Sequence, residues 1–228
     1  MLKDKDIREP LFMFLEEQYG KVRILEEKMM GRSRADVIMV IENELIGIEI
    51  KSDADTYVRL SRQVKDYDCY FDRNIIVVGT SHATHVKEHV PEHWGIITVE
   101  EAEDAGDGDT GNMGNLDFYF YRRPEVNPDA DITKRLPFLW RSELNQLLLK
   151  YEMPAYAYLS KPKVIEKILL KRADDLEELK HDISELLFER DYDAMLKEIE
   201  EYRATHSTRR RRGRKKSTRV RAIRRAAK

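Results

Sequence analysis

The chain of 228 residues carries 41 lysines and arginines, 43 acids and 41% apolar side chains. That suits one large domain, or one domain with an appendage. No apolar run approaches the roughly 18 residues of a membrane span, and the opening MLKDKDIREP has no apolar leader segment. The single cysteine, Cys69, excludes an internal disulfide, so a reducing, cytoplasmic setting is expected.

In chain order, Leu11, Phe12, Leu15 and Tyr19 predict a helix over 6–19, with Pro10 in its first turn and Gly20 at its end. Strands follow at 22–28, 36–42 and 45–51, the last two joined by a turn at Asn43-Glu44. A helix over 56–72 is expected behind Asp53 or Asp55 as its cap. NIIVVGTS reads as a strand buried on both faces. A short helix in HATHVKEHV and a strand in WGIITVE come next. The order α-β-β-β-α-β-α-β is a three-strand meander, then a crossover helix that makes the next strand parallel to a neighbour. Residues 101–115 read as an acidic connection without the ligand spacing of an EF-hand. LDFYFYRRP reads as an edge strand returning against 95–99.

Pro128 and Pro137 bracket a linker over 126–137, so the first domain is set at 1–125. Residues 138–207 read as helical: two helices around an extended bend at Pro154, then amphipathic helices over 174–188 and 191–203. The fold class expected is α/β, with a mixed central sheet and a small helical region after it. Residues 208–228 hold twelve lysines and arginines and no acid, leaving 29 bases against 43 acids in 1–207, a net of −14. An acidic body with a basic tail points to a polyanionic partner, and the tail is expected to be disordered alone. Arg209, Arg210, Arg211, Arg212, Arg214, Lys215 and Lys216 form its densest run, which suits phosphate and makes DNA the expected partner. An anionic membrane surface and a tail-to-body contact are the alternatives.

The strand 45–51 is apolar yet ends Glu49-Ile50-Lys51. Alternation puts Glu49, Lys51 and Gly47 on one face. Asp36 opens the preceding strand and, with the turn at 43–44, lies opposite about residue 51. Two converging carboxylates make a hard-oxygen site for Mg²⁺ or Mn²⁺, with the Ile50 carbonyl as a third ligand. Lys51 beside them can stabilise developing charge. The bland alternative is a cross-strand ion pair, which rarely occupies an apolar central strand.

Asp36 with Glu49-Ile50-Lys51, on a helix-meander-helix-strand core, resembles the PD-(D/E)XK superfamily of restriction-endonuclease-like nucleases. Gln63-Val64-Lys65-Asp66-Tyr67 resembles the Q-x-x-x-Y element of its RecB-like branch. The stretch is also similar to small bacterial and phage members, including MmcB-type DNA repair proteins. The likeness covers roughly 6–100 and implies metal-dependent hydrolysis of DNA phosphodiesters. It implies Asp36 and Glu49 as metal ligands, Lys51 as catalytic lysine, Gln63 orienting lysine or water, and Tyr67 in support. Glu9 matches the helix glutamate that completes many such sites, with Glu16 a lesser candidate. Superfamily members often dimerise, so the resemblance allows a homodimer. Ala35 stands where the superfamily commonly has proline, which removes no ligand.

Other signals are weaker. SDADT lacks the companion residues of a haloacid-dehalogenase-type phosphatase, and Asp53 and Asp55 read as helix caps. His82, His85, His89 and His93 lack a cysteine pair and read as a polar helix face rather than a zinc site. Trp140 through Leu170 loosely resembles a SAP-like helix-extended-helix module. Leu144, Leu147, Leu148 and Tyr151 face Val164, Ile165, Ile168 and Leu169 in that reading. Such modules often bind DNA.

Overall fold

The computed structural model describes residues 2–101 and 116–190, with 197 and 201. Met1–Glu189 forms one compact unit, and the chain divides from it at Arg190. The acidic connection at 102–115, most of the helix expected over 191–203 and the basic run from Arg209 to Lys216 lie outside the described residues. No helix among the described residues is long and apolar enough to cross a membrane.

The first unit is an α/β structure on one six-stranded mixed sheet. Helix α1 (Asp4–Tyr19) precedes strands β1 (Arg23–Met30), β2 (Ser33–Ile41) and β3 (Glu44–Lys51). A 3₁₀ turn (Tyr57–Arg59) leads into α2 (Leu60–Tyr70), then β4 (Arg73–Gly79), the short α3 (Thr80–Ala83), β5 (Gly95–Glu101) and β6 (Leu116–Arg122). The spatial order is the sequence order. β1–β2–β3 is an antiparallel meander, β3, β4 and β5 are mutually parallel, and β6 returns antiparallel on β5. The crossover through α2 is what permits the parallel step, as the sequence pattern requires.

One face of the sheet carries Val37, Met39, Ile46, Ile48, Ile50, Ile75, Val77, Ile97 and Val99 against Ile7, Leu11 and Leu15 of α1. Phe14 stacks on Phe118 at 5.4 Å between ring centroids, anchoring β6 to the same helix. The opposite face packs under α2 and the helices that follow β6. Gly47 decides how closely α2 approaches. A Cβ there would lie 2.6 Å from Tyr67 Cδ1 and 2.7 Å from Phe71 Cε2, so only glycine lets both rings lie on the strand. Gly47→Ala is expected to destabilise the fold by about 1–3 kcal/mol through overpacking and to push Tyr67 off the sheet. Denaturant unfolding checks this, and an unchanged midpoint would mean the rings can retreat freely.

The hairpin register differs from the expected one. Ile41 pairs with Glu44, so the turn residues are Glu42 and Asn43, with Asn43 in the left-handed region at φ 62°, which asparagine tolerates. The shift is by two positions, which preserves the faces. It carries Asp36 from opposite residue 51 to opposite Glu49, one step beyond the Val37–Ile48 pair.

The stretch read as a linker is a packed element. Ile132–Phe138 form a 3₁₀ segment in which Arg135 and Leu136 are fully buried. Asn127 donates through Nδ2 to the carbonyls of Asp68 (2.8 Å) and Phe71 (2.7 Å). Helices α4 (Arg141–Lys150), α5 (Lys161–Lys171) and α6 (Leu176–Phe188) follow and belong to the same compact unit. Leu144, Leu147, Leu148, Tyr151, Val164 and Ile168 are buried as the helical pattern predicts, while Ile165 and Leu169 are half-buried.

Candidate functional site

β3 holds Glu49 and Lys51 over Gly47 on the α2 side, 1% and 5% exposed. Burying both is tolerable because they pair: Lys51 Nζ donates to Glu49 Oε1. Gln63 Nε2 donates to that same oxygen from α2. One helical turn on, the Tyr67 hydroxyl lies 2.8 Å from Glu49 Oε2 and 3.0 Å from the Ile48 carbonyl. The phenol has one proton to share between them, and it accepts from the Asp36 N–H at 3.2 Å. Burial, and then the charges of Glu49 and Asp36, raise the Tyr67 pKa well above its usual value. It stays a phenol and a donor. Asp36 Oδ2 accepts from the Ile50 N–H at 2.9 Å, so its carboxylate is tied to β3 beside Glu49. Burial, and then the neighbouring Glu49 charge, hold the Asp36 carboxyl well above the ordinary range against the opposing pull of the Ile50 N–H and Lys51.

These groups open into a cleft of about 520 Å³ lined by Asp36, Glu49, Ile50, Lys51 and Gln63. Five of the seven catalytic and metal residues expected from the sequence line this cleft, and Tyr67 lies directly beneath them. Glu9 does not. It is exposed, and α1 turns Asp4 and Arg8 into the cleft instead. Those two share a helix face by i, i+4 spacing, and one step of rotation takes Glu9 away from it. Glu16 is exposed also and lies outside the cleft lining. Arg8 is held by Asp4 at 2.8 Å, Glu26 at 2.9 Å and Glu27 at 2.7 Å.

Sequence reasoning missed Asp4, Arg8 and four further arginines of the cleft: Arg32 and Arg34 near the β1–β2 turn, and Arg59 and Arg62 near the start of α2. A signal was present for the last two, since residues 59 and 62 fall on one helical face with Gln63.

Of the other candidates, Asp55 lines the cleft and the rest lie outside its lining. Asp53 accepts from the Leu2 N–H at 3.1 Å and the Ser81 hydroxyl at 2.7 Å, and Asp55 folds back on Ser52. Neither caps α2, because the helix is entered through the 3₁₀ turn behind Thr56. The histidines scatter. His82 and His89 flank the Tyr57 ring, His85 meets Glu88, and His93 lies 3.0 Å from Asp68. In and just after the segment from Trp140 to Leu170, Lys163 pairs with Glu166 and Arg172 with Asp175 and Glu178.

Fold and cleft together define an α/β protein whose mixed sheet carries two carboxylates and a lysine at one open end. The chain belongs to the family described as bacteriophage P4 protein cII, which it matches over residues 5–225. No curated protein matches it significantly. Among solved structures it is similar to SfsA of Pyrococcus furiosus in complex with Ca²⁺, at 15% identity and a TM-score of 0.29, over 53% of this chain and 60% of that one.

Proposed function

We propose that the cleft hydrolyses DNA phosphodiester bonds with Mg²⁺ or Mn²⁺, as a nuclease of the PD-(D/E)XK kind. The observation that carries this is the convergence of Asp36, Glu49, Lys51 and Gln63 on one cleft. Their chemistry fits a hard divalent cation: two adjacent carboxylates, Glu49 buried and Asp36 half-buried, offer oxygen donors, and Gln63 Oε1 is buried with no hydrogen-bond partner. Asp36 and Glu49 would hold the ion, which when bound lowers the pKa of a water and neutralises phosphoryl charge. Lys51 sets its ammonium against the charge that develops on the phosphoryl oxygens. Gln63 orients a water through its spare acceptor. Tyr67 fixes the Glu49 carboxylate from below and is a positioning residue. Membership in a family named for a bacteriophage protein supports a setting in phage or mobile-element DNA processes.

A second reading has one observation in its favour. Both Glu49 oxygens already accept from protein donors, as they would in an accessory protein that binds DNA without cutting it. Cleavage of single-stranded, duplex and branched DNA, with either metal and after chelation, separates the two. The nuclease reading expects metal-dependent cleavage that falls by about 10²-fold or more in Asp36→Asn. It also expects Mg²⁺ to raise the thermal midpoint of the wild type more than that of the variant. Salt-sensitive DNA binding without cleavage in any metal would leave the accessory reading.

A further inference from the structure

We propose that Arg32, Arg59 and Arg62 form a grip on the cleft rim that holds duplex DNA by its phosphates without reading bases. This rests on the reading of the cleft as a nuclease site and names how that site takes its substrate.

The cleft arginines fall into two groups. Arg8 has a side chain 14% exposed and three carboxylate partners. Arg34 pairs with Glu27 at 2.5 Å. Their charge is spent inside the molecule. Arg32, Arg59 and Arg62 are exposed, line the same cleft and make no ion pair among the described residues. Residues 1–207 carry a net charge of −14, so a polyanion is repelled by the body at large and drawn in only where positive charge is uncompensated.

The grip has two walls in fixed relation. Arg32 follows Gly31 at the β1–β2 turn, and the Gly31 N–H donates to the Tyr70 hydroxyl of α2 at 2.9 Å. Gly31 has φ 55°, and a Cβ there would sit 2.8 Å from Asp66 Oδ1, so the hairpin tip rests directly on the helix. Arg59 and Arg62 stand at the entry to that helix, on the face that presents Gln63. A hairpin and a helix that touch fix the backbone positions of the three arginines before the ligand arrives, and a guanidinium matches phosphate in a bidentate way.

The lining also says what is not read. Among the described residues, no phenylalanine, tyrosine or tryptophan lines the cleft, whereas single-strand binders stack splayed bases on aromatic rings. Phosphate density then decides affinity, and the duplex has the higher density and the steeper dependence on salt.

The test uses the full-length chain with Lys51→Ala, which separates binding from cutting. Fluorescence anisotropy gives the affinity for duplex and single-stranded DNA of equal length over a salt series. Adding Arg32→Ala, Arg59→Ala and Arg62→Ala is expected to flatten the slope of log affinity against log salt on duplex by about 2–3, close to 0.9 for each arginine. The loss should be equal on duplexes of unrelated sequence and smaller on single strands. The corresponding triple lysine variant should keep most of the slope, which separates lost charge from lost fold. An unchanged slope, or a larger loss on single strands, overturns the grip. An unchanged slope beside normal wild-type cleavage removes the grip alone. A flattened slope beside a wild type that cuts no DNA in either metal removes the nuclease reading and leaves the grip.

Discussion

Lys51→Ala is expected to lower metal-dependent DNA cleavage by about 10²–10³-fold in turnover, with DNA affinity changed far less. Lys51 is 5% exposed and its ammonium meets the Glu49 carboxylate, so it enters the cleft beside the candidate metal donors with little freedom to leave. A charge so fixed costs no reorganisation when negative charge builds on a phosphoryl group, which is why it acts on turnover more than on binding. Truncation has a second effect: it leaves the buried Glu49 carboxylate, beside the half-buried Asp36, without its cation, at about 3–5 kcal/mol. Loss of activity alone is therefore ambiguous. Lys51→Gln resolves it, since the amide can still donate to Glu49 without carrying charge. The expected result is a folded protein, by its thermal midpoint, with cleavage as low as in Lys51→Ala. Wild-type cleavage by a folded Lys51→Gln would show that the lysine's charge has no part in the chemistry.

The features that the sequence displays are those set by short-range periodicity. Glu49 and Lys51 share a strand face at spacing two, and Gln63 and Tyr67 a helix face at spacing four, so the order of elements and these four residues can be read directly. Asp36 was legible as a residue but not in its place. Its neighbour depends on the hairpin register, and the register depends on which pair of polar residues turns the chain. The α1 contribution was misplaced for a similar reason. A helix taken to begin at residue 6 omits Asp4, and with it the Asp4–Arg8 pair that faces the cleft. Glu9 then takes a role that its side of the helix cannot fill. The cleft arginines were hidden by their commonness, because exposed arginine is the default on any surface. What distinguishes Arg32, Arg59 and Arg62 is the absence of an acidic partner among the described residues, and pairing is a tertiary property that no local spacing encodes.

Arg135→Ala is expected to destabilise the protein by about 3–5 kcal/mol. Read along the sequence, Arg135 sits between Pro128 and Pro137 in a polar stretch and looks solvated. It is fully buried. Its guanidinium donates to Asp72 Oδ2 at 2.8 Å and Oδ1 at 3.0 Å, and to the Tyr70 carbonyl at 2.7 Å. Asp72 also accepts from the Leu45 N–H at 2.8 Å and pairs with Lys180 of α6 at 2.9 Å. One carboxylate thus joins β3, the C-terminal end of α2, the 3₁₀ segment and α6. Burial by itself would raise the Asp72 carboxyl, but Arg135, Leu45 and Lys180 together carry it below the ordinary range. A depressed carboxylate contributes stability that is complete above its unfolded pKa and is lost as pH falls through the lower folded value. Equilibrium unfolding should therefore show wild type and Arg135→Ala furthest apart at neutral pH and converging in strong acid. Arg135→Met retains much of the volume but leaves Asp72 with only Lys180 and Leu45, so it should recover part of the packing and little of the pH dependence. If the two variants unfold alike and their difference from wild type is flat with pH, the helices after β6 are held by apolar contacts and not by this carboxylate.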